Sequence, residues 1–143
     1  TLETLLAIDW RNGFDHAARN VGGRMVDVET IEQTKAAINA NTAMLYWTHI
    51  FEPKGKITRK EFLAAGKAAG VPVFNDAAAE LPPAENLRGF AKEGFALEAF
   101  SGGKGLRGPQ ASGLLVGRVP LANPRTVTAL VPNVPVPIPT FPF

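Results

Sequence analysis

Cysteine is missing from all 143 residues, and histidine occurs only twice. The first absence excludes disulfides, thiolate metal sites and a cysteine nucleophile, and the second removes a histidine-rich metal centre. No run approaches the roughly 20 apolar residues of a membrane span. The net charge of +2 is small and the basic residues are dispersed, which argues against nucleic acid or an anionic membrane as partner. Thr1-Leu2-Glu3 lacks the basic start and apolar stretch of a secretory signal, so a cytoplasmic location is expected. An initiator methionine is also missing, and the start reads as processed, trimmed or internal to a longer product. What is present, 45% apolar and 20% charged residues, suits one globular domain with a real core.

Short apolar runs alternate with helical patterns. Phe14 to Asn20 is helix-compatible, Arg24 to Val28 a short strand, and Glu29 to Ala40 an amphipathic helix with Thr30 as N-cap. Thr42 to Thr48 (TAMLYWT) is almost continuously apolar, as a strand buried on both faces would be. Thr58 and Glu61 have capping-box spacing for a helix running to about Ala69, with Gly70 at its end. Val71 to Asp76 is a strand, Glu85 to Glu93 a helix, Phe95 to Phe100 a strand and Ser112 to Gly117 a last strand. Thr1 to Trp10 fits a helix or a strand equally. Pro53 to Lys56 reads as a loop. The alternation predicts an α/β domain with a mostly parallel sheet and, from right-handed crossovers, helices on both faces. Glu98 inside a strand implies an edge position, a partner, or no strand there. From Pro120 the character changes: seven of the twelve prolines fall in the last 24 residues. That composition favours extended polyproline-type backbone, so residues 119–143 form a tail distinct from the domain at 1–118.

Between two apolar runs lies Phe100-Ser101-Gly102-Gly103-Lys104-Gly105-Leu106-Arg107-Gly108-Pro109-Gln110-Ala111-Ser112-Gly113. Its glycines require a tight turn or a close approach. Lys104 in such a turn is a nucleophilic amine, a phosphate contact or a solvated charge. The spacing is not that of a phosphate-binding Walker loop, because Gly105 stands where a hydroxyl residue would follow the lysine. Ligands of open α/β sheets sit beyond the carboxyl ends of the strands. Asp76, Lys104 and Thr48-His49 all fall there. An aspartate, a lysine and an aromatic or imidazole residue in one crevice meet the needs of pyridoxal phosphate, among them an imine-forming amine and a carboxylate for the pyridine nitrogen. Ser101 and the N–H groups of Gly102 and Gly103 are candidate phosphate contacts. Arg11 and Arg107 are candidate partners for a substrate carboxylate or phosphate. Each has a plainer reading as a cap, loop or surface residue.

FSGGKGLRGPQASGLLVGR resembles the cofactor-lysine segment of fold-type-I pyridoxal-phosphate enzymes of the selenocysteine synthase (L-seryl-tRNA(Sec) selenium transferase)-like family. The resemblance continues through VPVFNDAAAELPPAENLRGF, TAMLYWTH and RNGFDHAARNVGGRMVDV, over about residues 10–118. The AAAELPP after Asp76 is similar to the D-glucosaminate-6-phosphate ammonia-lyase-like branch. The resemblance implies pyridoxal 5'-phosphate on Lys104, Asp76 at the pyridine nitrogen, Ser101 near the phosphate, and His49 and Arg107 approaching the site. It implies a transferase-like large domain, incomplete here because family members are longer. The expected activity is Schiff-base formation with a small amino-bearing substrate, Cα deprotonation and β-elimination, as in a lyase or a selenium transferase. A homo-oligomer is implied, with no membrane, no nucleic acid and no metal. The alternative is a non-catalytic, truncated paralogue serving as an interaction module.

Overall fold

The computed structural model describes residues 2–6 and 13–117, with side chains from Phe14 onward. Arg11 and the proline-rich segment 119–143 lie outside the described residues. The elements run β1 (Leu2–Leu6), α1 (Gly13–Asn20), β2 (Gly23–Asp27), α2 (Ile31–Ala37), β3 (Thr42–Thr48), a 3-10 helix (His49–Lys54), α3 (Arg59–Ala69), β4 (Val73–Asp76), α4 (Asn86–Glu93), β5 (Leu97–Ser101) and β6 (Gly113–Gly117). They form one six-stranded sheet in the order β2-β1-β3-β4-β5-β6. The first five strands are parallel; β6 pairs antiparallel with β5. This is the expected α/β class, with the undecided start settled as a strand.

Local chemistry explains the ends of these elements. The Thr30 side chain accepts from Gln33 N at 3.2 Å and opens α2. That helix stops at Ala37, not at Ala40. Asn39 takes over the next backbone groups, its Oδ1 accepting from Asn41 N at 2.8 Å and its carbonyl from Thr42 N at 3.0 Å. Thr58 and Glu61 make the reciprocal capping box, and Gly70 ends α3 in the left-handed region at φ 68°. The stretch read as a loop at Pro53–Lys56 begins inside the 3-10 helix, with Pro53 in it.

The sheet grows in both directions from β1, so right-handed crossovers put α1 on one face and α2, α3 and α4 on the other. Two neighbouring rings show it. Tyr46 meets Phe14 of α1 at 5.4 Å between centroids, whereas Trp47 meets Phe62 of α3 at 5.3 Å. Three helices cover their face well: Leu45, Phe62 and Phe95 are 0% exposed and Phe100 2%. Burying each phenylalanine contributes about 1.5–3 kcal/mol relative to leaving it in water.

The α1 face is covered unevenly. Met44, Thr48 and Leu97 are buried on it, whereas Tyr46, Phe74, Asp76, Ala99 and Ser101, which share it through the register Tyr46↔Phe74 and Asp76↔Ala99, are half-buried. The expectation that Thr42–Thr48 is buried on both faces holds for most of the strand: Met44 and Thr48 are buried on the α1 side and Leu45 and Trp47 on the other, with Tyr46 half-buried. Glu98 selects among the three readings its charge left open. It sits inside β5, paired on both sides, and is 1% exposed, so it marks neither an edge nor a break in the strand. The third reading, a partner for the residue, is the one that stands. No helix among the described residues is long and apolar enough to cross a membrane.

Candidate active site

Asp76 is the last residue of β4, half-buried on the α1 face. Its Oδ1 accepts the Ala78 N–H at 3.2 Å, the local bond an aspartate makes as a chain leaves a strand. Its Oδ2 accepts the Tyr46 hydroxyl at 2.8 Å. A hydrogen bond to an ionised group is worth about 1.5–3 kcal/mol. The register places the tyrosine two positions before Thr48, the residue paired with Asp76. The phenol is pushed well above its usual range, first by burial, then by the Asp76 charge and by the hydrogen bond to it.

Lys104 belongs to the loop between β5 and β6, whose closure follows from its glycines. Gly102 donates to the Ser112 carbonyl at 2.8 Å and accepts from Gly108 N at 2.7 Å; Lys104 accepts from Arg107 N at 2.9 Å. A methyl on Gly102 would come 2.8 Å from the Ser112 carbonyl carbon, and one on Gly103 would come 2.7 Å from the Gln110 Cα. Glycine is required there because backbone passes where a side chain would be. The Gly102 N–H is thus spent inside the loop, whereas the bonds among the described residues do not use that of Gly103. Lys104 itself is exposed.

Two tethers bring the lysine loop to the loop after Asp76. Ser101 N donates to Ala78 O at 3.4 Å, and Gly105 lies so close to Leu81 that an added methyl would be 2.6 Å from its carbonyl carbon. The loop that carries Lys104 and the loop after Asp76 are therefore neighbours at the carboxyl edge of β4 and β5.

His49 is held differently. Its ring packs on Phe90 of α4 at 4.8 Å, and its Nε2 stands 3.7 Å from both Glu52 and Glu80. These contacts draw it toward the α4 side of the sheet edge, while Asp76 faces the α1 side. Arg107 is exposed and takes a left-handed φ of 53°, placing it at the loop's turn. A groove of about 880 Å³ runs along α3 beside the end of α4, from Glu52, Thr58 and Arg59 to Lys67, Val71 and Gly94. None of Asp76, Ser101, Lys104, His49 and Arg107 lines it.

Sequence reasoning missed Tyr46, absorbed into an apolar run. The available signal was a hydroxyl-bearing ring near the end of a strand expected beside the one ending in Asp76.

No family model matches the chain. Among curated proteins it is 34% identical over 118 residues to the D-glucosaminate-6-phosphate ammonia lyase of Salmonella typhimurium, covering 78% of this chain and 31% of that protein. It is 31% identical to the L-seryl-tRNA(Sec) selenium transferase of Haemophilus ducreyi, over 70% of this chain and 26% of the relative. The chain thus spans about a third or less of the relatives' length. In structure it resembles the cystathionine gamma-lyase of Lactobacillus plantarum, with a TM-score of 0.66 over 90% of this chain and 35% of that one. At 17% identity that likeness shows the fold alone.

Proposed function

Because the chain is part of a fold-type-I pyridoxal-phosphate-dependent domain, whose cofactor is pyridoxal 5'-phosphate, we propose that Lys104 and Asp76 hold that cofactor and act with it on an amino-bearing small molecule. One observation carries the reading: Asp76 ends β4 and Lys104 lies three residues past the end of its parallel neighbour β5, their loops tied at Ser101–Ala78 and Gly105–Leu81.

The residues fit the group. After its two hydrogen bonds the Asp76 carboxylate keeps acceptor capacity on both oxygens, enough to receive a pyridinium N–H. Lys104 offers a primary amine on a flexible stem at an exposed turn. Ser101 and the Gly103 N–H supply donors for a phosphate. When bound, the cofactor supplies an aldehyde for an amine and a ring that draws electrons from a substrate's Cα. Asp76 keeps a negative charge where a ring nitrogen needs a proton held. Lys104, once a substrate amine has displaced it, is the nearby group that carries the Cα proton.

The finer reading is loss of a β-substituent as water or ammonia. The likeness to an ammonia lyase supports it, as does Asp76 being followed by Ala77-Ala78-Ala79, the middle one of which caps its carboxylate. Transfer in place of elimination is the alternative that the likeness to a selenium transferase supports. His49 and Arg107 stay candidates for the substrate side, and assembly with a second copy is part of the reading. Leu106, Leu114 and Leu115, 38%, 40% and 41% exposed around the lysine loop and β6, support such a contact.

Titration of the full chain with pyridoxal phosphate tests the proposal. A visible absorption band should appear with the wild type, vanish with Lys104→Ala and require at least about tenfold more cofactor with Asp76→Ala. A wild-type chain that gives no band is the non-catalytic module instead.

A further inference from the structure

Tyr46 is the only tyrosine in the chain. It stands in the middle of the sheet, with its ring 5.4 Å from Phe14 and 5.1 Å from Phe74. The two rings hold it from both sides and aim the hydroxyl along the sheet surface at a neighbouring strand. A phenylalanine there would pack equally well. The hydroxyl makes one contact that a phenylalanine cannot, the 2.8 Å bond to Asp76 Oδ2.

A lone carboxylate at a strand's end rotates about χ2 and samples several orientations. Asp76 is gripped at both oxygens, by Ala78 N from its own chain and by Tyr46 from β3. Two donors from different directions fix the plane of the carboxylate. Holding a pyridinium nitrogen asks for a fixed acceptor direction. We propose that Tyr46 is a positioning residue for the cofactor site, clamping the Asp76 carboxylate so that it presents a fixed acceptor to the pyridine nitrogen. The inference rests on the proposed function and adds a residue from the central strand β3, contributed by neither the lysine loop nor the Asp76 loop.

Two measurements on the full chain test it. With Tyr46→Phe, the dissociation constant for pyridoxal phosphate should rise about tenfold, the lower range for losing one hydrogen bond to a charged group. The pH midpoint of the visible band should also move, while Lys104 remains the residue to which borohydride fixes the cofactor. A merely structural tyrosine would leave that midpoint in place. An unchanged dissociation constant and an unchanged midpoint overturn the proposal. The second measurement needs no cofactor and keeps Tyr46, so it decides even where Tyr46→Phe does not fold. The single tyrosine should ionise at lower pH in Asp76→Ala than in the native chain, because the carboxylate's share of the shift is removed while the ring's packing stays; the same midpoint in both, set by burial alone, overturns the clamp. A wild type that takes up no cofactor on Lys104 removes the proposed function, and this titration still shows separately whether Tyr46 grips Asp76.

Discussion

Gly102 donates its N–H to the carbonyl of Ser112 across the neck of the lysine loop, at 2.8 Å. That bond fixes where the chain leaves β5 and re-enters β6, and with it the base from which Lys104 projects. Gly102→Ala pushes a methyl into the Ser112 hydroxyl and to 2.8 Å from its carbonyl carbon, so backbone must move. The expected cost is about 1–3 kcal/mol by urea denaturation, with loss of cofactor uptake. Gly89→Ala is the control: nothing lies within 4 Å of the added methyl and the site is inside α4. It should stabilise the chain by up to about 1 kcal/mol. Equal effects of the two substitutions would contradict the account of the loop.

The buried phenol makes stability fall at alkaline pH. Folding raises the Tyr46 pKa above its ordinary value of about 10, through burial first and the Asp76 charge second. The stabilisation is present in full below that value. It is lost as the pH climbs toward the folded pKa, because the unfolded chain releases a proton that the native state retains. Above pH ~10 this group should lower stability by about 1.4 kcal/mol per pH unit. Lysines titrate in the same range, so the informative quantity is the difference between wild type and Tyr46→Phe in urea midpoints from pH 9 to 11. Parallel curves would show that Tyr46 ionises freely in the folded chain.

Arg107 occupies a left-handed conformation that costs a non-glycine residue about 1–2 kcal/mol. Arg107→Gly relieves that strain and loosens the unfolded chain, which offsets part of the gain. Thermal unfolding should show stability unchanged or raised by up to about 1 kcal/mol, with Lys104 still taking up cofactor. A clear loss of stability would mean that the Arg107 side chain supports the loop.

Much of the fold is legible in the sequence because its signals are local. Thr30, Thr58–Glu61 and Gly70 mark helix ends through groups three or four residues away, and each end lies where that chemistry puts it. Asp76 and Lys104 are legible for a related reason: each ends an apolar run, and runs in an α/β chain end at the ligand edge. What stays hidden depends on register. Tyr46 and Asp76 are 30 residues apart and become partners only when β3 and β4 align Tyr46 with Phe74. The burial of Glu98 likewise follows from having β4 on one side and antiparallel β6 on the other, which its own strand does not reveal. His49 follows the imidazole expectation in the chain, but Phe90 and two glutamates set where its ring goes.

The central claim, that Lys104 is the residue to which the cofactor is joined, is tested most directly by incubating the full chain with pyridoxal phosphate, reducing with borohydride and mapping the tagged peptide by mass spectrometry. The account predicts one stoichiometric tag on the peptide carrying Lys104, lost in Lys104→Ala and weakened in Asp76→Ala. A tag spread over the exposed lysines, or concentrated on a lysine other than Lys104, would contradict it.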